Sequence, residues 1–340
     1  MGEVQASLNV VRSVAMVRFV IRRLTISVFI LFLASIFVFL LVAFSGDPLA
    51  QLKLDPRTPL ATLQYRRHLL HLDLPLWERY FYWFSHAIRG DLGNTIAGLP
   101  VSPQLVSHMV ITLRMVLVAL VFSVIIAIGT GVISALYRGK FIDRTITFTN
   151  FFFLATPVFV TGLFLKFFVA LPINQHAGKI LIYTDGDQSP LADGSFFHRL
   201  PDYIGHMILP TITLILATYA TWSIYQRSTL LETMDLDHVL LARSKGLSRR
   251  RVLLRHMLRN ALIPVTTVIA LDFAALLGGA VITETVYSWN GMGSWFLEGV
   301  GNLDVNITMA YLLVTAVFVI VFNLLADIAY AALDPRIRLS

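Results

Sequence analysis

The stretch Asp237–Pro264, DHVLLARSKGLSRRRVLLRHMLRNALIP, lies between two long apolar segments and offers charged surface where the rest of the chain is greasy. Asp237 to Lys245 is compatible with a short helix, Gly246 suits the left-handed residue that ends it, and Ser248 is a good N-cap for the next. A sharp turn is expected at Gly246. In the second helix Leu253, Met257 and Ala261 recur every four residues with Val252 and His256 beside them, which predicts one packed side and one charged side. Pro264 is expected at the start of the following apolar span. Arg249, Arg250 and Arg251 crowd the first turn, where the helix dipole disfavours each cation by about 0.3–1 kcal/mol. A group outside that helix is expected to compensate them.

Outward from this segment, 56% of the 340 residues are hydrophobic and 14% charged, against about 25% charged in soluble domains. An ordinary soluble globule is excluded, and the chain reads as an all-α integral membrane protein. Six apolar runs can cross a hydrocarbon core of about 30 Å: Leu24–Phe44, Met109–Leu136, Thr147–Leu171, His206–Tyr225, Ala261–Thr283 and Thr308–Ala332. The first is expected to remain as a span, because its core of about twenty residues exceeds a signal-peptide h-region and no small-x-small site follows. Lys and Arg number 17 in the amino-terminal segment, the loops near 140 and 240 and the tail, against 8 in the remaining loops. By the positive-inside rule both termini and the Asp237–Pro264 segment are cytoplasmic.

The expected organisation is thus a cytoplasmic segment 1–23, a first transmembrane helix 24–44, an extracytoplasmic loop 45–108, a five-helix core 109–332 and a cytoplasmic tail 333–340. Within the core lie the cytoplasmic segment 237–260 and an extracytoplasmic loop 172–205. The net charge of +7 is spread over several juxtamembrane loops, which suits lipid headgroups and not nucleic acid. With no cysteine, disulfides, thiol catalysis and thiolate metal sites are excluded. No repeat of the solenoid kind is seen.

From His206 onward the chain carries the words Ile208-Leu209-Pro210, Ala242-Arg243-Ser244-Lys245-Gly246-Leu247, His256 with Arg259 to Pro264, and Gly278-Gly279-Ala280. Through them it resembles the B-type permease subunits of bacterial dipeptide and oligopeptide ABC importers. Further words are Glu284-Thr285-Val286, Trp289 to Gly293 and the closing Leu333 to Arg338. Arg22-Arg23-Leu24, Gly46-Asp47-Pro48, Leu72 to Leu76 and Gly90 to Gly93 extend it more thinly toward the amino terminus.

The resemblance implies the six-helix fold of type I importers, a bacterial plasma membrane location, and a coupling helix that seats in a groove of a cytoplasmic ATPase. Carried over here, the ATPase-coupling residues are Asp237, Ala242, Arg243, Lys245, Gly246, Leu247, Arg249, Arg250 and Arg251. The chain departs from the usual pattern at His238, Leu241 and Ser244. The implied partners are a second homologous permease, two ATPase subunits, an extracytoplasmic substrate-binding protein, a peptide substrate and lipid. A permease for nickel or another small solute, or a stand-alone channel or secondary transporter, is the alternative.

No Walker A loop is present, since neither Gly139-Lys140 nor Gly178-Lys179 has the required upstream glycine. ATP and magnesium are therefore expected on partner subunits, with no cofactor held by this chain. No H-E-x-x-H or G-x-S-x-G word occurs, so no catalytic residue is expected. His68 and His71 are read as solvated, and no metal site is expected. Asp185, Asp187 and Asp193 do not have calcium-loop spacing.

Asp272 is placed near the middle of the fifth span, where an unpaired carboxylate costs about 2.5–3.5 kcal/mol, so it should line the pathway or bond to a neighbouring helix. Glu284, at the outer end of that span, is expected in a structural hydrogen bond. Lys166 is expected to snorkel. The run Trp77 to Phe84 is expected as an aromatic anchor in the outer interface.

Overall fold

The computed structural model describes residues 2–190 and 196–333. Asp193 and all but Leu333 of the closing Leu333 to Arg338 word lie outside the described residues. Among the described residues there is no strand, and the one isolated bridge joins Asn94 to Pro100. Six helices are long and apolar enough to span a membrane: Ile21–Phe44, Val101–Leu136, Val158–Ala177, Phe197–Met234, Arg249–Leu271 and Val305–Leu325.

The helices depart from the expected bounds, and two of the expected runs are divided, each at a single residue. The third run splits at Thr156, which is extended (φ −88°, ψ 121°) because it precedes Pro157, leaving a helix Phe141–Ala155 and a span that starts at Val158. The fifth is interrupted at Asp272, which separates Leu258–Leu271 from a second helix, Phe273–Val286. Pro264 lies inside a helix instead of opening one.

The chain forms two compact units, one comprising the residues up to Ser102 with those from Gly299 onward, the other Pro103–Glu298. In the first unit the amino-terminal helix packs against Val305–Leu333 and carries the short helix Leu76–Ala87. The aromatic run is divided by helical periodicity: Tyr80 and Trp83, three apart, are buried, whereas Trp77, Phe81 and Tyr82 are exposed. Tyr80 sits edge-on to Phe32 and Phe39, and its hydroxyl bonds Ser35 at 2.8 Å. Two of the six aromatics of the expected interfacial anchor are therefore core. The loop before Val101 is tied back through Ile96 N–H to Asp304 Oδ2 (2.7 Å) and Asn306 Nδ2 to the Asn94 carbonyl (2.7 Å). Gly93, at φ +80°, is required there, since a Cβ would lie 3.0 Å from Asn306 Nδ2.

In the second unit the long helix Phe196–Met234 is the central post, packed by Phe141–Ala155, Val158–Phe164, Leu258–Leu271 and Phe273–Val286. Small hydroxyls hold it to its neighbours. Ser123 bonds Thr218 at 2.8 Å, Thr130 bonds Ser223 at 2.9 Å, and Asn150 Nδ2 donates to Ser223 Oγ at 3.0 Å. Such bonds join helices that hydrophobicity alone cannot hold together in lipid.

Candidate functional site

The segment singled out in the sequence forms an elbow. Asp237–Ser244 is a helix, and Gly246 follows at φ +76°, in the left-handed region. Its N–H reaches the Arg243 carbonyl at 3.0 Å, closing the turn. Ser248 has the extended backbone of an N-cap, but its side chain makes no capping bond.

The helix that follows opens with one α turn, Arg249–Arg251, and widens into a π-helical stretch, Val252–Met257. This changes the packed face. A π turn advances five residues, so the buried set is Val252, Met257 and Ala261, and Leu253 is only half-buried. The four-residue repeat Leu253, Met257, Ala261 is corrected accordingly.

Val239 and Ala242 of the first helix, at 0% and 5% exposure, join Ala135, Leu230, Val252, Met257 and Ala261 in one apolar cluster, with Leu247 against its edge. A residue much larger than alanine at 242 would overfill it. His238, one of the three departures, accepts or shares a bond with Asn260 Nδ2 (2.9 Å) and lies 3.2 Å from the His256 carbonyl, pinning the first helix to the second. The elbow is thus rigidly seated on the ends of the fourth and fifth spans. Its outer face carries exposed Asp237, Leu240, Leu241, Arg243, Ser244 and Lys245. Arg249, Arg250 and Arg251 are exposed and form no ion pair among the described residues.

Beside the elbow lies an ion pair that the sequence reading missed. Asp143 accepts from Arg227 Nε and Nη2 (2.8 and 2.9 Å), Ser134 Oγ (2.5 Å) and Gly139 N–H (2.8 Å), while its side chain is 6% exposed. The Arg227 guanidinium, helped by the Ser134 and Gly139 bonds, holds the Asp143 carboxyl well below the usual carboxylate range against its own burial. One carboxylate thereby fastens the ends of three helices. The partners stand 84 positions apart in the sequence, which hides the pair from local patterns.

Asp272 stands at the helix interruption and not inside a continuous span, and its Oδ2 accepts from Trp222 Nε1 at 2.8 Å. Glu284 is 0% exposed; it accepts from Thr112 Oγ1 (2.5 Å) and from the N–H groups of Gly293 (2.8 Å) and Ser294 (2.9 Å) at the start of helix Met292–Gly301. Lys166 does not snorkel freely: it donates to Asp185 (2.6 Å) and to the Val286 carbonyl (3.2 Å). Asp187 pairs with Arg114 at 3.0 Å, and Arg114 also lies over the rings of Tyr203 and Trp289. His68 bonds Asp73 at 2.8 Å.

Six helices long and apolar enough to span a membrane, with a packed elbow between the fourth and fifth, define a multi-pass membrane protein. Residues 127–339 match the family described as the binding-protein-dependent transport system inner membrane component, and residues 16–103 match the amino-terminal part of such components. The chain belongs to this family, and so is the membrane component of a transport system that works with other subunits. It is 40% identical over 326 residues to the oligopeptide transport system permease protein OppB of Mycobacterium tuberculosis, covering 96% of this chain and all of the relative. With the dipeptide transport system permease protein DppB of Escherichia coli the identity is 34%, over 79% of this chain and 83% of the relative. The fold is shared with a solved inward-facing structure of the MetNI methionine ABC transporter, at a TM-score of 0.50 and 18% identity, covering 68% of this chain and 96% of that one.

Proposed function

We propose that this chain is a permease subunit of an ATP-driven peptide importer, forming the pathway with a second permease and coupled through its elbow to ATPases that hydrolyse ATP elsewhere. The observation that carries the reading is the seating of the elbow: Val239 and Ala242 are locked into a core shared with Leu230 and Ala261, so a force on the exposed face moves the ends of two spans together. That is the geometry of a lever. The exposed face, with Leu240 and Leu241 at 48% and 55% exposure between charged neighbours, is the surface offered to the ATPase groove. Arg249, Arg250 and Arg251 meet acidic ATPase side chains or lipid phosphate at its rim, which answers the unfavourable dipole.

ATP and magnesium belong to the partner subunits, and the substrate arrives from an extracytoplasmic binding protein. Both termini and the elbow are cytoplasmic, from the distribution of Lys and Arg. Glu284 and Asp272 act in helix packing, in keeping with their partners within this chain. The peptide substrate rests on the two permease relatives above, both named for peptides.

Gly246→Pro tests the reading. Proline cannot adopt φ +76° and removes the N–H that closes the turn, so peptide-stimulated ATPase activity of the reconstituted complex is expected to fall at least about ten-fold with the permease still inserted. Normal uptake and normal stimulation at normal abundance would overturn the lever.

A further inference from the structure

The π-helical stretch Val252–Met257 moves the outward side of the elbow's second helix as well as its packed side. The buried row steps five residues and then four, through Val252, Met257 and Ala261. Any row parallel to it takes the same steps. Two positions earlier, about 200° round the helix at about 3.6 residues per turn, the parallel row is Arg250, Arg255 and Arg259, and all three are exposed. An unbroken α-helix would set Leu254 and Leu258 in line with Arg250 and disperse the arginines. The π turn thus gathers three cations into one outward row.

Its own segment supplies no counter-charge. From His238 to Leu271 the chain has seven Lys or Arg and no acid, and none of the three arginines forms an ion pair among the described residues. The buried side of the helix packs on Val239 and Ala242 of the elbow's first helix and on Leu230 of the fourth span, so the row is turned away from that first helix. Arg259 lies two residues before the apolar run Ala261–Thr283, at the level where the headgroups of a bilayer begin. Arg255 and Arg250 stand about 6 and about 13 Å further from the hydrocarbon, against a headgroup layer about 5–8 Å deep. Leu254, 51% exposed, lies beside them. An apolar side chain among cations fits the edge of a bilayer, where arginine lays its stem on apolar surface and its guanidinium at phosphate, and favours lipid over a carboxylate-lined protein groove.

We infer that Arg250, Arg255 and Arg259 form a binding row for the phosphate of an anionic phospholipid, which holds the elbow's second helix at the membrane surface and leaves its first helix open to the ATPase. The inference rests on the reading of the elbow as cytoplasmic and adds a lipid partner to it. In the test the full chain in detergent micelles is titrated with phosphatidylglycerol and, separately, with phosphatidylcholine, and bound lipid is counted by native mass spectrometry. No ATPase is present, so a failure of lipid binding and a failure of coupling are read apart. Saturable binding of phosphatidylglycerol is expected, with phosphatidylcholine at least about ten-fold weaker. One arginine at an anionic surface is worth about five-fold in affinity, so Arg250→Gln, Arg255→Gln and Arg259→Gln together should weaken phosphatidylglycerol at least about ten-fold. Arg255→Gln alone, expected to weaken it about five-fold, serves if the triple change disturbs folding. Arg138→Gln, Lys140→Gln and Arg144→Gln together remove the same charge from exposed positions on the same side of the membrane, and should leave binding within about two-fold of the parent. Absence of saturable phosphatidylglycerol binding to the parent, unchanged binding by the row variants, or equal weakening by the control change would overturn the assignment.

Discussion

Replacing Asp143 by asparagine is the most demanding check on the second unit, because the change is nearly isosteric and strikes one atom cluster. The carboxylate accepts two bonds from Arg227 and one each from Ser134 and Gly139. The asparagine amide group offers donors where the guanidinium also donates, so Arg227 loses its counter-charge and part of its hydrogen bonding. Breaking a buried pair on one side costs about 3–5 kcal/mol. Arg227 is 30% exposed, and water that reaches it lowers the expected loss to about 2–3 kcal/mol. The assay is reversible unfolding in mixed micelles with a denaturing detergent, run as a double-mutant cycle with Arg227→Gln. The double variant is expected to be less damaged than the sum of the singles by about 1–3 kcal/mol, since removing both charges strands neither.

The pH dependence follows from the same bonds. The folded carboxyl sits below its ordinary value of 3.8, so its contribution is complete above that value and is lost only as pH falls through the lowered one. Between about pH 7 and pH 5 this pair should contribute a constant stability. Additivity of the two single changes within about 0.5 kcal/mol, or loss of the difference between parent and Asp143→Asn above about pH 5, would refute the reasoning.

Other consequences can be checked by the same unfolding measurement. Trp222→Phe removes the N–H donated to Asp272 at 2.8 Å and leaves a carboxylate unpaired, which should cost about 1.5–3 kcal/mol, whereas Phe148→Leu on an exposed face should cost little. Gly291→Ala places a methyl against Glu284 and Thr112 in a cluster with no free space, and a loss of about 1–3 kcal/mol is expected. Tyr287→Phe removes a hydroxyl that donates to the Gly162 carbonyl at 3.0 Å and shares a bond with Thr213 at 2.9 Å; the loss should be about 1 kcal/mol, with helix content unchanged.

The elbow shows how far local reading reaches. Gly246 was legible because a left-handed turn selects for a residue without a Cβ, a property of one position. The buried face of the next helix was not legible in the same way. Leu253 follows a regular four-residue repeat, yet the π stretch Val252–Met257 shifts the register and buries Val252 in its place. Nothing in the composition of those residues announces a π turn. Lys166 and Asp272 were placed by their depth in apolar runs, but their partners Asp185 and Trp222 come from other parts of the chain. Arg227 counted only as one cationic residue among the eight in its loop, although it closes the Asp143 pair.

Hydropathy, chain stiffness and charge are sums over neighbouring residues, so the repeated membrane spans, the turn at Gly246 and the charge beside it are legible in the residues alone. Which carboxylate meets which donor, and where the spans break, were settled by packing alone. Those outcomes depend on helices meeting across long stretches of chain, and a contact of that kind leaves no local periodicity to read.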